Sequence, residues 1–566
     1  MKKILSLVLA LAMLASMAVI PAVAEDTYRE PITLTIFSEL ANYAGEQQGW
    51  FAQELKNRFN VTVKYVSTNV DSNAWTAGIS AGEMGDIICL GDMGDHFLEL
   101  LRADMVYDWD ELDLTPYTHI NAYLGDAIRK TSDFAAANGF NGTFGFNYNV
   151  ALEDGAWAEL TDPTYALQVR FDAWEAAGKP ELTSLEDLPA FARALQDAMP
   201  TNASGEKVYA YGAFPDWEDV KMKFAYDLLT YYGYEEWDFM CVNFASRDVQ
   251  DQLQEDGMYK KALRAVNQMY RDGTFDPESV SQNFDAYSTK LSSGRYLIAL
   301  WGWIIGNYNT AERAENKDGF VTFMFKDSAP LMQTATTAGG NRMWCLGNTE
   351  YPERCLEIID WLCSEEGMII QNYGPRGLTW DYNADGVPEM TDFGWQCQED
   401  RASTEMPAEY GGGTFQDGES KINHETVKLE QMIPGKNYSF SYKGWPCYAE
   451  RYATNLSRAW GEEYAQGATS GVELYRITGQ VSLKMPVAMA YAKAALSEEG
   501  QQKRAQFAPI IKEYSWKCAN SETDEEFEAN WNYMVETAKA QGYDDVMAEY
   551  MADILNCFAV MDAAGE

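Results

Sequence analysis

Aromatic side chains are abundant in this sequence, and several of them fall in segments that are predicted to be loops. The chain of 566 residues contains 17 Trp and 34 Tyr. The apolar ring faces of sugars stack on such side chains, and sugar hydroxyls need hydrogen-bond donors and acceptors. We therefore take the following as candidate ligand-binding residues: Glu39, Trp75, Asp92, Trp217, Trp301, Trp303, Arg376, Trp380 and Trp445. For each tryptophan, burial in the core is the alternative interpretation, because Trp is highly buried on average.

Two of these tryptophans follow a predicted buried strand at residues 296–300. Trp301 and Trp303 come at its carboxyl end, where open α/β sheets bind their ligands. If the strand continues, side-chain alternation puts both rings on the same side, and Gly302 leaves the space between them open. The pattern predicts that Trp303, together with Trp301, is a stacking platform for a sugar ring. Alternatively, both rings close the hydrophobic core below the ligand site.

The segment that begins at Asp381 matches the pattern of an EF-hand calcium loop. The candidate metal ligands at its positions one, three, five and twelve are Asp381, Asn383, Asp385 and Asp392. Gly386 at position six allows the sharp turn that such a loop needs, and Glu389 stands at position nine. However, Asp at position twelve is shorter than the usual Glu, and Asn-Ala-Asp-Gly is also an ordinary turn sequence. A structural calcium ion and a plain turn are both open interpretations, and no other cofactor is expected.

Catalytic chemistry has weak support in the sequence. An enzyme that cleaves glycosidic bonds needs two carboxylates at a fixed separation, but with 86 acidic residues such a pair can always be chosen. The three histidines, His96, His119 and His424, adjoin no motif for nucleophilic or zinc chemistry. We therefore expect no catalytic residues and favour a binding protein over an enzyme. A secreted glycoside hydrolase is the alternative function. A surface adhesin would show repeats or an anchoring tail, and neither is visible.

The first residues have the pattern of a secretory signal peptide. Two lysines precede an apolar run, which ends in an Ala-Val-Ala cleavage pattern at residues 22–24. The predicted signal peptide is therefore residues 1–24, and the mature chain is expected to be secreted or held at the cell envelope. A lipid anchor is not expected, because Glu25 follows the cleavage point and the first cysteine is Cys89.

The composition narrows the class of protein further. The formal net charge of −43 repels nucleic-acid phosphates and anionic lipids, so we expect no binding to nucleic acid or to a membrane surface. The nine cysteines have long spacings and include no C-x-x-C pair, which predicts neither a disulfide framework nor a thiolate zinc site. The chain is long for a single core, so at least two domains are predicted.

The segment after the signal peptide alternates strands and helices. Residues 32–37, 61–66 and 86–90 are predicted strands, and apolar residues at helical spacing predict helices between them. This β-α-β-α-β order is typical of an open α/β sheet. Ligands of such sheets sit beyond the carboxyl ends of the strands, which here are the loops that contain Glu39 and Asp92.

A second α/β block is predicted from residue 165 onwards. Thr183 and Glu186 are a predicted capping box at the start of its first long helix. The C-terminal part after Thr523 is predicted to be helical again, with a capping box at Thr523 and Glu526.

Short signatures occur in an order that covers nearly the whole mature chain. They are DLTP at 113–116, VRFDAW at 169–174, GKPELT at 178–183, YRDGTFDP at 270–277, SGR at 293–295, WGW at 301–303, YPE at 351–353 and YG at 373–374. Their order and spacing resemble the extracellular solute-binding proteins, family 1, of carbohydrate ABC importers.

The resemblance implies an α/β, two-lobed periplasmic-binding-protein-like fold of type II, with open α/β sheets and extra C-terminal helices. By analogy, residues 25–147 plus about 328–370 form the first lobe, and 148–327 plus about 371–500 form the second. Residues 501–566 would be a C-terminal helical segment. The resemblance further implies a monomer that captures an oligosaccharide between its lobes and delivers it to ABC permease subunits.

Overall fold

The strands of the computed structural model form one large sheet and several small ones. The structure describes residues 29–216, 218, 221–491 and 493–564. The predicted signal peptide and Trp217 lie outside the described residues. The strands are β1 Ile32–Ser38, β2 Gly45–Glu46, β3 Val61–Ser67, β4 Ile87–Leu90, β5 Phe146–Asn147, β6 Ala156–Trp157, β7 Tyr165–Arg170, β8 Glu235–Trp237, β9 Met240–Asn243, β10 Asp248–Asp251, β11 Ile298–Trp301, β12 Phe320–Phe323, β13 Leu331–Met332, β14 Thr334–Ala335, β15 Met343–Leu346, β16 Trp380–Tyr382, β17 Pro388–Met390 and β18 Ser482–Leu483.

Helices cover the sheets and make up most of the C-terminal part. They are α1 Gly49–Phe59, α2 Ala74–Ala81, α3 Asp95–Arg102, α4 Thr118–Tyr123, α5 Gly125–Ala137, α6 Phe171–Ala176, α7 Leu188–Ala198, α8 Lys223–Thr230, α9 Met258–Arg271, α10 Phe284–Ser292, α11 Ala311–Glu315, α12 Pro352–Cys363, α13 Glu365–Tyr373, α14 Asp392–Glu399, α15 Pro446–Tyr452, α16 Asn455–Glu463, α17 Gly471–Thr478, α18 Pro486–Ala490, α19 Glu498–Ala519, α20 Asp524–Ala540 and α21 Tyr543–Ala564.

The large sheet belongs to the first lobe and has the strand order β2-β3-β1-β4-β15-β5. Strand β1 runs parallel to β3 and to β4, whereas β15 runs antiparallel to both of its neighbours. All four residues of β4 are buried, as expected for a strand that is covered on both faces. The predicted β-α-β-α-β beginning is confirmed.

The hydrophobic core of the first lobe lies on both faces of this sheet. On one face, Leu34 and Ile36 of β1 pack with Trp50 and Phe51 of α1. On the other face, Phe37 packs with the helices that follow β3 and β4. Alternating side chains of a single strand therefore pack against two layers of helices, one on each face, which is the usual arrangement of an open α/β sheet.

The second lobe is built around a three-stranded sheet of order β11-β7-β12, in which β7 is antiparallel to both neighbours. Its hydrophobic core includes Phe507, Trp531 and Ile554, which lie on the three C-terminal helices α19, α20 and α21. The C-terminal segment that the sequence analysis separated at residue 501 is thus packed into the second lobe.

Residues 373–445 pack with the first lobe, although the family analogy assigned about 371–500 to the second. Phe415 stacks on Trp50 with ring centroids 5.4 Å apart, and the indole nitrogen of Trp50 donates to the carbonyl of Phe415 over 2.9 Å. Trp380 and Trp445 are buried in the same core. The second-lobe core takes over from Leu456 onwards. Burial of these large apolar side chains stabilises the packing of the segment against the first lobe.

The predicted capping box lies one residue further along the chain. Ser184 and Asp187 form it, and the backbone N–H of Ser184 donates to the Asp187 carboxylate over 3.0 Å. Ser184 has extended backbone dihedrals directly before the helical turn, which is the position a capping residue occupies. Of the capping box predicted at Thr523 and Glu526, the Thr523 half is present, because its hydroxyl accepts from the N–H of Glu526 over 3.1 Å. The Glu526 carboxylate accepts instead from the backbone N–H of Glu522 over 2.8 Å.

All nine cysteines lie in the described part of the chain, and none of them is in a disulfide. Eight are buried and Cys447 is half-buried, so they act as small apolar side chains. In residues 29–564, as far as they are described, no helix has the length and the apolar character needed to cross a membrane.

Candidate functional site

The hinge between the lobes borders the carboxyl edge of the first sheet. Met343, the first residue of β15, pairs with Leu90 at the end of β4 and with Asn147 at the end of β5. The chain therefore leaves and re-enters the first lobe at the edge where β1 and β4 end. Beyond this edge, β6 and β14 pair and form a short ladder between the lobes.

The Trp301 end of the second sheet lies next to the same hinge. Trp301, the last residue of β11, pairs with Tyr165, the first residue of β7. Tyr165 follows the hinge strand β6 by only eight residues. Both predicted ligand-binding edges, one from each lobe, therefore border the hinge.

The edge of the first lobe carries a concave site of about 550 Å³. Glu39, Asp92, His96 and Asn341 are among the residues that line it. One oxygen of the Glu39 carboxylate accepts from the backbone N–H of Gly91 over 2.7 Å, and the other bonds to Nδ1 of His96. The structure thus brings the predicted residues Glu39 and Asp92 together.

Trp75 lies behind this site and supports it. Its ring stacks on His96, with centroids 3.8 Å apart and an interplanar angle of 16°. Its indole nitrogen donates to Glu99 over 2.9 Å, and only 9% of the residue is exposed. The sequence analysis missed His96. The signal available for it was its position in the polar loop after β4, the same position that singled out Asp92.

Trp301 and Trp303 form a stacked pair whose outer member is exposed. Their ring centroids are 5.6 Å apart at an angle of 16°. Trp301 is 4% exposed and Trp303 is 54% exposed. The strand ends at Trp301 and a 3-10 helix follows, so the rings stack without the strand continuation that the sequence suggested. Trp303 is the exposed member of the pair and Trp301 the buried one, and the Phe284 ring also lies near Trp303, with centroids 6.1 Å apart.

Gly302 brings this pair against the hinge segment. A Cβ atom at this position would lie 2.6 Å from the carbonyl oxygen of Pro163 and 3.1 Å from Cβ of Asp162. Only glycine allows such a close backbone approach. The platform is thereby fixed next to Asp162.

Asp162 also lines a cavity of about 630 Å³ between the lobes. Tyr448 and Tyr452, with ring centroids 4.6 Å apart, contribute aromatic surface to it. Its charged lining residues are Asp162, Lys443, Glu473 and Arg476. Burial raises the pKa of the Asp162 carboxyl, although a hydrogen bond from Thr161 and the charge of Lys443 lower it. Tyr448 and Tyr452 were not among the sequence candidates.

Trp380 and Trp445 are core residues in this structure. Both are almost completely buried, and their ring centroids are 6.1 Å apart. The indole nitrogen of Trp380 donates to the carbonyl of Gly374, and that of Trp445 to the carbonyl of Ser439, each over 2.9 Å. Trp445 still reaches the wall of the cavity between the lobes. Neither residue offers a free ring face to a ligand in this conformation.

Arg376 belongs to the β16–β17 hairpin. Its guanidinium donates to Asp381 over 2.8 Å and lies 4.8 Å from the ring centroid of Tyr382. The ion pair lowers the pKa of Asp381 below its usual value. The structure therefore groups Arg376 with this hairpin, separately from the Glu39 and Trp303 sites.

The predicted calcium loop is the turn of this hairpin. The side-chain oxygen of Asn383 accepts from the backbone N–H groups of Asp385 and Val387, over 2.9 and 3.0 Å. Asp392 begins the next helix. In the part of the chain that the structure describes, no three His, Cys, Asp or Glu side chains are grouped so that they could hold a metal ion. This arrangement favours the plain turn, and calcium binding here stays a prediction.

Glu218 ties the C-terminal helices to the platform region. Its carboxylate accepts from the indole nitrogen of Trp516 over 2.8 Å and from the backbone N–H of Lys223 over 3.1 Å. The Lys223 ammonium in turn lies 5.7 Å from the ring centroid of Trp301. Burial raises the pKa of Glu218 to about 7.

Two α/β lobes joined by a hinge, with aromatic and polar surfaces on either side of it, define a protein that holds a ligand between its lobes. Residues 50–376 match the family model described as "Bacterial extracellular solute-binding protein". The match covers more than half of the chain, so the chain belongs to this family, and the resemblance seen in the sequence is confirmed. No protein with a curated description matches the sequence.

Solved structures with the same fold include binding proteins of two bacteria. FusA of S. pneumoniae, an ABC-transporter substrate-binding protein in complex with kestose, has 12% identity and a TM-score of 0.50 over 94% of this chain and 100% of its own. An HMO-binding, ABC-transporter-associated solute-binding protein of Bifidobacterium longum infantis has 12% identity and a TM-score of 0.55 over 92% of this chain and 98% of its own. At such low identity these similarities establish the two-lobed fold.

Proposed function

We propose that this chain is an exported receptor that captures an oligosaccharide between its lobes and delivers it to an ABC permease. The observation that carries the proposal is Trp303, a residue that is 54% exposed and whose ring stacks on the buried Trp301 next to the hinge. An exposed large aromatic ring with a supporting ring beneath it suits the apolar face of a sugar. FusA, which was solved with kestose, and the HMO-binding protein have the same fold.

The polar groups and the available space favour a neutral oligosaccharide. Asp92 and His96 offer hydrogen-bonding groups to sugar hydroxyls at the edge of the first lobe. The concave sites of about 550 and 630 Å³ lie within the usual range of ligand pockets. The net charge of −43 opposes a strongly anionic sugar at long range.

The remaining parts of the proposal concern export and partners. The pattern at residues 1–24 supports cleavage of a signal peptide, and the family supports a location outside the cytoplasm. A receptor of this kind acts as a monomer that presents one shape to the permease when empty and another when loaded. It performs no chemistry on the sugar.

Ligand binding and lobe closure test this function together. A panel of neutral oligosaccharides is screened for an increase in Tm, because a ligand that binds only the folded state stabilises it. With a sugar that binds, small-angle scattering should give a smaller radius of gyration than without it. An unchanged radius at saturation would count against closure. Each mixture is also analysed by chromatography, and release of shorter sugars would identify a glycoside hydrolase instead.

A further inference from the structure

His96 stands at the mouth of the first-lobe site and is held from two sides. Glu39 bonds to its Nδ1 atom, and the Trp75 ring covers one of its faces. The side chain is nevertheless 47% exposed. Because Nδ1 and one face are occupied, the Nε2 edge and the opposite face are the parts of the ring left for a ligand.

Glu39 and Trp75 both contact His96 from the side away from a ligand. Each carboxylate oxygen of Glu39 already accepts a hydrogen bond, one from Gly91 and one from His96. The ring of Trp75 is covered by His96, and its indole nitrogen is bonded to Glu99. A sugar cannot stack on Trp75 unless His96 moves away.

We propose that His96 is the first-lobe residue that hydrogen-bonds the bound sugar, and that Glu39 and Trp75 are positioning residues that act through it. This proposal rests on the function proposed above. An ionised carboxylate only accepts hydrogen bonds, so Nδ1 of His96 carries a proton and Nε2 is the ring atom left for a ligand. A sugar hydroxyl both donates and accepts hydrogen bonds, so it matches Nε2 with or without a proton.

The surrounding charges define the class of ligand. Asp92 and Asp95 line the same concave site as Glu39 and His96. The three carboxylates repel phosphate and carboxylate groups, whereas Asp92 and Asp95 can accept hydrogen bonds from hydroxyls. The site is therefore suited to a neutral sugar residue with free hydroxyls, of which one faces Nε2 of His96.

The presence of only three histidines allows a direct test by NMR. Protein labelled with 15N in its histidine rings should give separate signals for His96, His119 and His424, assigned with the variants His96→Phe and His119→Phe. Without ligand, Nδ1 of His96 should carry a proton, as its contact with Glu39 requires. The probes are kestose, maltotriose, cellotriose and mannotriose. A probe that binds should shift the Nε2 signal of His96 and leave His119, which is bonded to Asp360, unchanged.

Variants give a second, independent measurement. His96→Phe keeps a ring on Trp75 but removes the Nε2 hydrogen-bond partner, and should weaken the binding of the same probe about 3- to 10-fold, as expected for one net hydrogen bond. His96→Gln, whose amide oxygen can replace Nε2, should recover part of this loss. Glu39→Gln should redistribute the tautomers of His96, whereas a purely structural role of Glu39 would leave them unchanged.

The possible results separate this proposal from the proposed function. If the parent protein binds a probe while the His96 signals stay fixed and His96→Phe binds equally well, the role of His96 is wrong and the receptor function stands. If none of the four probes raises Tm or shifts any histidine signal, the carbohydrate function itself is contradicted. Because the NMR measurement uses the parent protein, it shows whether His96 contacts the bound sugar even if a variant fails to fold.

Discussion

Replacing Trp303 by Ala removes the surface that a bound sugar ring is proposed to cover. The inner face of Trp303 already packs on Trp301, and 54% of the residue is exposed. A Trp side chain has roughly 200 Å² of surface, of which the exposed fraction is roughly 110 Å². At about 25 cal/mol per Å², complete coverage by ligand contributes about 2.7 kcal/mol, and coverage of a single face contributes roughly half of that.

We therefore expect Trp303→Ala to raise the Kd for an oligosaccharide about 10- to 100-fold, since a factor of ten corresponds to about 1.4 kcal/mol. Isothermal titration calorimetry measures this change. Circular dichroism should show a folded variant, because a half-exposed side chain contributes little to the core. Tyr533→Ala is the matched control. Tyr533 is 51% exposed and stacks on Tyr514 with centroids 4.5 Å apart, but it lies on the C-terminal helix α20.

The control should bind sugar as the parent does. If Trp303→Ala is folded and also binds as the parent does, the stacking platform is refuted. Aromatic contacts would then have to come from Tyr448 and Tyr452 in the cavity between the lobes. If both variants lose affinity equally, the effect is not specific to Trp303, and the reasoning fails as well.

Two further predictions concern pH and metal. Because burial raises the pKa of Glu218 from 4.5 to about 7, the folded state holds more protons than the unfolded state between these values. The free energy of unfolding should therefore fall by on the order of 3 kcal/mol as pH rises through this window. Glu218→Gln should remove this contribution, and equal pH dependence of urea unfolding in variant and parent would disprove it. Melting curves in calcium and in chelator should coincide, because the hairpin carboxylates do not converge; a higher Tm in calcium that Asp385→Ala abolishes would establish a calcium loop instead.

The parts of the fold with strong local patterns could be predicted from the sequence. Strands β1, β3 and β4 carry continuous or alternating apolar residues, so the open sheet and its ligand-binding edge followed. The placement of Trp301 and Trp303 at the end of a buried strand was predictable for the same reason, whereas their role in binding stays a prediction. The structure places Trp303 outside and Trp301 inside, a distinction that spacing alone does not make.

Other features depend on contacts between distant segments, and a single sequence does not reveal those. Residues 373–445 joined the first lobe because Phe415 packs on Trp50, more than 300 residues away in the sequence. His96 became a candidate only when the fold brought it to Glu39 and Trp75. Tyr448 lies in a segment without a regular pattern. Trp380 shows the reverse case: its loop-like sequence suggested exposure, whereas its ring is buried.

The described chain passes between the lobes three times, after β5, before β15 and between Trp445 and Leu456. Two bodies joined at three separate points cannot slide or twist freely, because each such movement would stretch at least one connection. Bending about the line of the connections is the motion that remains. The two lobes of the unliganded protein therefore have few relative orientations. Closing them around a sugar would cost little conformational entropy for this reason.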